Sequence, residues 1–265
     1  MNANHLPILP LDTIRAKAPS IFADRPADHV SPEYKFIPTH EILDHLMGNG
    51  WSPIAANQQK VRKLEKMNGT KHSLSLIRSG EDPKMLSIGG LLPTINLVNS
   101  HDWSSTFRIV FGMYRLICSN GLMVGGAEFA SYTIRHDSIM SDLQTTLNRF
   151  ESSVTLMLRK AQEWAEIGMA FDEAFTLAKN AALIRFGENA SEDQVRALMY
   201  SRRSADDSDN LWNVYNRLQE NGIQGGVRFG NARRVRKLAN IQATTDYNTK
   251  LYELADTFAS ELSTS

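Results

Sequence analysis

Five cations and no acid fall between Asn221 and Thr245: Arg228, Arg233, Arg234, Arg236 and Lys237. A second basic run lies between Ser52 and Gly80, where Lys60, Arg62, Lys63, Lys66, Lys71 and Arg78 are set against Glu65 alone. Phosphate backbones suit such clusters, because each Lys or Arg contact releases condensed counterions. Gly225, Gly226 and Gly230 in the first run allow close backbone approach and positive φ. The plainer alternative is a solvated face, or pairing with Asp206, Asp207 and Asp209. Arg108, Tyr114 and Arg115 share one predicted strand with Phe107 and Phe111. Arginines and aromatics on a sheet are how some single-strand binders grip backbone and stack bases. The same pattern also fits aromatics in a core with arginines at its rim.

Two identical dipeptides, His101-Asp102 and His136-Asp137, raise the possibility of a His/carboxylate metal site. No third or fourth ligand stands out, and each acid has a simpler use. Asp102 closes an Asx turn and Asp137 caps the helix that starts near Ser138. Cys118 has no basic neighbour in sequence and alternates with Leu116 as a core residue would. Gly121-Leu122-Met123-Val124-Gly125-Gly126 lacks the lysine of a phosphate loop and reads as a hairpin. No catalytic signature and no cofactor motif emerges.

Composition narrows the classes. The 265 residues carry 29 Lys plus Arg against 29 Asp plus Glu, so net charge says nothing and only its distribution can. One cysteine excludes an internal disulfide framework and suits a reducing, cytoplasmic setting. The N-terminal residues lack a secretory pattern, and no apolar run approaches the roughly 18 residues of a membrane helix.

The elements that would position these residues fall into three regions. Residues 1–38 hold six prolines and read as an extended arm that either wraps its own domain or reaches a neighbour. Residues 39–168 begin with a short helix capped by Thr39, then turn to strands from Trp51 to about Arg135. Ser73 to Ile77 alternates with period two, and a run from Met85 to Val98 is broken by Gly89-Gly90 and Pro93. Phe107, Ile109 and Phe111 alternate, and the parity switch to Tyr114 and Leu116 predicts a β-bulge at Gly112-Met113. One antiparallel sheet over 73–134 is expected. Ile139, Leu143, Leu147, Phe150, Val154 and Leu158 form the stripe of a long helix, 138–167, packed across it. Residues 169–265 read as further helices, one opened by a capping box at Ser191 and Gln194 and running to about Arg203, another with Leu211, Trp212, Tyr215 and Leu218 closed by Asn221-Gly222, with a Gly- and Arg-rich loop at 222–245. Strands in one block and helices in another give α+β: an antiparallel meander packed by a long helix, then a helical C-terminal half.

Two stretches carry a resemblance. One is Asn99-Ser100-His101-Asp102, Phe107-Arg108 and Tyr114 to Leu122, with Arg135-His136 downstream. The other is Leu211 to Asn221, then Gly225-Gly226, Arg233-Arg234-Val235-Arg236, and Asn248 before Leu251. Together they resemble an uncharacterised family of phage- and plasmid-borne proteins, domain of unknown function 932. The match runs from about residue 35 to the C-terminus. That family tends to have Gly after the His-Asp pair, where this chain has Trp103. The resemblance implies a mobile-element origin and supplies no activity.

The expectation is a non-enzymatic nucleic-acid-binding protein, with single-stranded DNA as ligand ahead of duplex DNA or RNA, working in recombination. The order helix, meander, long helix loosely resembles the core of Rad52-type annealing proteins. The binding residues would be Lys60, Arg62, Lys63, Arg108, Tyr114, Arg115, Arg228, Arg233, Arg234, Arg236 and Lys237, without cofactor, metal or membrane, and with the arm clasping a homo-oligomer. Two rivals are a metal-dependent nuclease or phosphodiesterase using His101, Asp102, His136 and Asp137, and a protein-binding inhibitor of host defence using Asp206-Asp207-Ser208-Asp209 as a decoy.

Overall fold

In a computed structural model the described residues are 8–61, 67–78, 91–115, 120–122, 139–230, 233–238 and 241–263. Strands β1 (Trp51–Gln58), β2 (His72–Arg78), β3 (Leu91–Asn99), β4 (Arg108–Arg115) and β5 (Asn120–Leu122) form one antiparallel sheet in sequence order. The fold is therefore α+β, and the sheet opens a strand earlier than the expected residue 73; residues 123–134, over which it was expected to continue, lie outside those described. Alternation decides which face each strand buries. Leu74 and Leu76 of β2, Ile95 and Leu97 of β3, and Ile109, Phe111 and Met113 of β4 all enter the main core.

The bulge expected at Gly112-Met113 is absent. Pairing runs unbroken from Leu91↔Arg115 to Val98↔Arg108, and Met113 keeps the parity of Phe111. The register shift lies instead in β1, between Pro53 and Ala55, where proline removes a ladder donor. Pro93 does not break β3. It pairs with Met113 on one side and lies one residue beyond the β2 ladder, which ends at Ile77↔Thr94.

Helix α3 (Ile139–Glu166) lays its stripe on the sheet. Leu143, Leu147, Phe150 and Val154 are buried, and the Phe150 ring sits 4.6 Å from Phe111 of β4 and 6.0 Å from Trp51 of β1. The arm wraps its own chain. Helix α1 (Leu11–Lys17) and a 3-10 turn at Pro19–Phe22 place Ile14, Ala18 and Ile21 in the core, and the Leu9 N–H donates to the Pro53 carbonyl at 2.7 Å. Helix α2 (Thr39–Gly48) packs Ile42, Leu43 and Leu46 inward. Its N-cap is Pro38, without a side-chain cap, so Thr39 is free for other bonds.

The C-terminal half comprises α4 (Phe171–Phe186), α5 (Glu192–Met199), α6 (Leu211–Gln224) and α7 (Ile241–Leu262). The capping box at Ser191 and Gln194 is present, and α5 ends at Met199 rather than near Arg203. Helix α6 is the central helix, buried on nearly all sides. Asn221-Gly222 does not end it; the ring of Tyr247 on α7 lies where a Cβ on residue 222 would stand, so only glycine fits. No helix among the described residues is long and apolar enough to cross a membrane.

Candidate nucleic-acid interface

The segment after α6 is not an irregular loop. Gly225 ends the helix at φ 61°, and β6 (Arg228–Phe229) and β7 (Arg233–Arg234) then form a small antiparallel hairpin on α5. Polar groups of the helices clip it in place. Asn221, fully buried, donates to the carbonyls of Leu198 (2.8 Å) and Tyr200 (2.7 Å) and accepts from Arg202 Nε (2.7 Å). The second arm of Arg202 reaches the Gly225 carbonyl. From α4, Arg185 donates to the Gly222 carbonyl at 2.7 Å and the Arg236 carbonyl at 2.6 Å. The Gly226 N–H donates to Val235 O at 2.7 Å and closes the base.

These bonds leave the side chains of Arg228, Arg233, Arg234, Arg236 and Lys237 exposed. Arg228 stands directly opposite Arg234. Like charges in cross-strand register are destabilising. None of the five makes an ion pair among the described residues, and two acids of the connector before α6 are engaged elsewhere. Asp206 takes Arg203 at 3.1 Å, and Asp209 takes Arg217 at 2.9 Å. Arg203 also forms a two-pronged pair with the nearly buried Glu220, at 2.5 and 2.7 Å. One acid does lie close: Asp193 Oδ2 is within 3.1 Å of a Cβ built on Gly230.

The remaining sequence candidates scatter. Lys60 is exposed beyond the end of β1, and Arg62 and Lys63 lie outside the described residues. Arg108 is half-buried on β4, on the face opposite Ile109 and Phe111. Tyr114 and Arg115 pair along β4 with Gly121 and Asn120, their side chains outside the described set. Cys118, His136 and Asp137 also lie outside it. The structure thus places the five hairpin cations together on β6, β7 and the residues that follow.

His101 and Asp102 belong to a buried polar knot at one end of the sheet. His101 is fully buried and its Nε2–H donates to the Ser20 carbonyl at 3.0 Å, which leaves Nδ1 as an unpartnered lone pair. His72 donates from Nδ1 to the Thr70 carbonyl at 2.9 Å, so its Nε2 accepts from the Thr39 hydroxyl at 2.9 Å. Thr39 in turn accepts from Asn99 Nδ2 at 3.0 Å. The two imidazoles lie 4.8 Å apart. Burial depresses both, His72 to about 4 and His101 to about 3, with His72 adding to the effect on His101. Asp102 accepts from the Ser104 N–H at 3.0 Å, the Asx turn expected of it. Among the described residues no group of three or more His, Cys, Asp or Glu side chains could hold a metal. In the sequence Thr39 stands out only as a helix cap and Ser20 and His72 not at all, since their roles here depend on contacts 33 and 81 positions away.

Comparison with known proteins places the chain. A family model described as Domain of unknown function (DUF932) matches residues 26–251. The UPF0380 protein YfjQ of Escherichia coli (strain K12) is 32% identical over 253 residues, covering 92% of this chain and 89% of the relative. The UPF0380 protein YafZ of the same organism is 30% identical over 253 residues, with the same coverage. No solved structure matches significantly.

Proposed function

The chain belongs to the domain of unknown function 932 family, and from that premise we propose that it is a non-enzymatic nucleic-acid-binding protein of a phage or plasmid. Single-stranded DNA is the proposed ligand, and annealing during recombination the proposed role in the cytoplasm. The observation that carries the reading is the hairpin β6–β7. Arg228 faces Arg234 across a ladder held by the Arg185 and Arg202 side chains, with Arg233, Arg236 and Lys237 exposed beside it. Cations kept in mutual repulsion are relieved by a polyanion, and phosphates supply one charge after another along a chain. The annealing role borrows from Rad52-type proteins by order of elements alone, helix, meander, long helix. Self-association would lengthen the basic surface.

The test is a titration of a labelled oligonucleotide across several salt concentrations. Affinity should fall with a log–log slope of about −0.7 per phosphate neutralised on a single strand. Replacing Arg233, Arg234 and Arg236 together by Ala should flatten that slope by about two units. Sequence preference should stay weak, because backbone contacts carry no base information. Equal slopes for both proteins would remove these arginines from the interface, and no binding at low salt would end the nucleic-acid reading.

A further inference from the structure

We infer that Trp103 is a stacking platform for an unpaired nucleobase of the bound strand. Of the four tryptophans, Trp51, Trp164 and Trp212 are buried at 2%, 2% and 5% exposure, whereas Trp103 is 58% exposed. Trp103 also has φ 63°, the one positive φ at a non-glycine residue among those described. A bulky side chain in that region is a genuine outlier. Strain of this kind persists only where the surroundings over-determine the backbone, and it gathers at binding sites.

The surroundings do over-determine it. The His101 N–H donates to the Gly69 carbonyl at 2.8 Å and the Ser104 N–H to Asp102 at 3.0 Å. Ser100 and Ser105 exchange two bonds, of 2.9 and 3.1 Å, across the loop. Tyr34, tied to the Ser100 carbonyl at 2.7 Å, sets its ring 6.0 Å from the indole. The loop tip is therefore rigid, and it presents an apolar ring to water that the core does not use. Gly69 backs Asp102, the residue before the tryptophan, at the van der Waals distance of a built Cβ (3.4 Å). A fixed, exposed aromatic face is what an unpaired base stacks upon, without sequence preference. A duplex offers no free base face, so the partner is a single strand.

This inference rests on the nucleic-acid reading, and the experiment separates the two. The native chain is titrated with an oligothymidylate and with a duplex of equal length, following anisotropy of the labelled strand and intrinsic tryptophan emission together. Emission should be quenched in step with single-strand binding and stay unchanged with duplex. Trp103→Gly should weaken single-strand binding by about tenfold or more, the range of one lost base stack. Its melting temperature should be no lower than native, because glycine adopts positive φ without strain. Trp103→Phe, which keeps a ring, should retain most of the affinity. Binding seen by anisotropy without an emission change would overturn the inference and leave the hairpin reading intact. So would a Trp103→Gly protein that binds as tightly as native, or equal quenching by the duplex. No anisotropy change with either probe at low salt would sink both.

Discussion

At the scale of single residues, a candidate metal ligand serves as a structural clasp. His101 reads as half of a metal-binding dipeptide, yet its Nε2 serves the arm through the Ser20 carbonyl and its ring lies against Phe36 at 4.7 Å. His72 completes a relay from Asn99 through Thr39. Both histidines are held neutral, with folded values of about 4 and about 3 against 6.5 when unfolded. A depressed histidine contributes its full stability above the unfolded value. Below it the unfolded chain takes up protons that the folded chain refuses, and stability falls until the folded value is reached. Each histidine costs about 1.4 kcal/mol per pH unit in that window. Urea unfolding should therefore show a loss of about 2–3 kcal/mol between pH 6 and 5, before carboxylates contribute. A flat profile over that interval would show that the pair already titrates near 6.5 and is not dry.

At the scale of elements, periodicity was a sound guide and turn chemistry a poorer one. The long helix, its stripe and the sheet it covers follow from spacing alone, because one face must leave water. Replacing Leu147, 2% exposed beneath α3, by Ala should cost about 2–5 kcal/mol in chemical denaturation, while a loss under about 0.5 kcal/mol would place the stripe on a solvated face. Punctuation misled where a residue serves packing. Gly112-Met113 suggested a bulge, and the ladder passes through it; Asn221-Gly222 suggested a stop, and the helix continues so that Tyr247 can lie against the glycine. The Gly- and Arg-rich segment had no period to read, since a two-residue strand pair is too short to carry one. Its clips come from Arg185 and Arg202, 51 and 23 residues from the carbonyls they hold.

At the scale of the whole molecule, the arm decides whether the sheet and the helices form one body. Its prolines predict an extended path, and nothing in the sequence says where that path leads. In the structure Ile14, Ala18 and Ile21 are fully buried in the same core as the sheet and α3 to α7. Ser20 receives His101 through its carbonyl, takes Gln58 Oε1 on its N–H at 2.9 Å, and donates its hydroxyl to the Met67 carbonyl at 2.6 Å. Deleting residues 1–30 would strip out two buried isoleucines, Ile14 and Ile21, worth about 2–5 kcal/mol each as large-to-small losses. It would also leave the His101 Nε2–H buried without an acceptor, at about 1–3 kcal/mol. The sum reaches the typical stability of about 5–15 kcal/mol for a whole domain. The truncated protein should therefore lose its cooperative melt by circular dichroism and scatter light as an aggregate. If it instead keeps the native melt and drops to a smaller, uniform mass in light scattering, the arm clasps a neighbouring subunit and is not a wall of its own core.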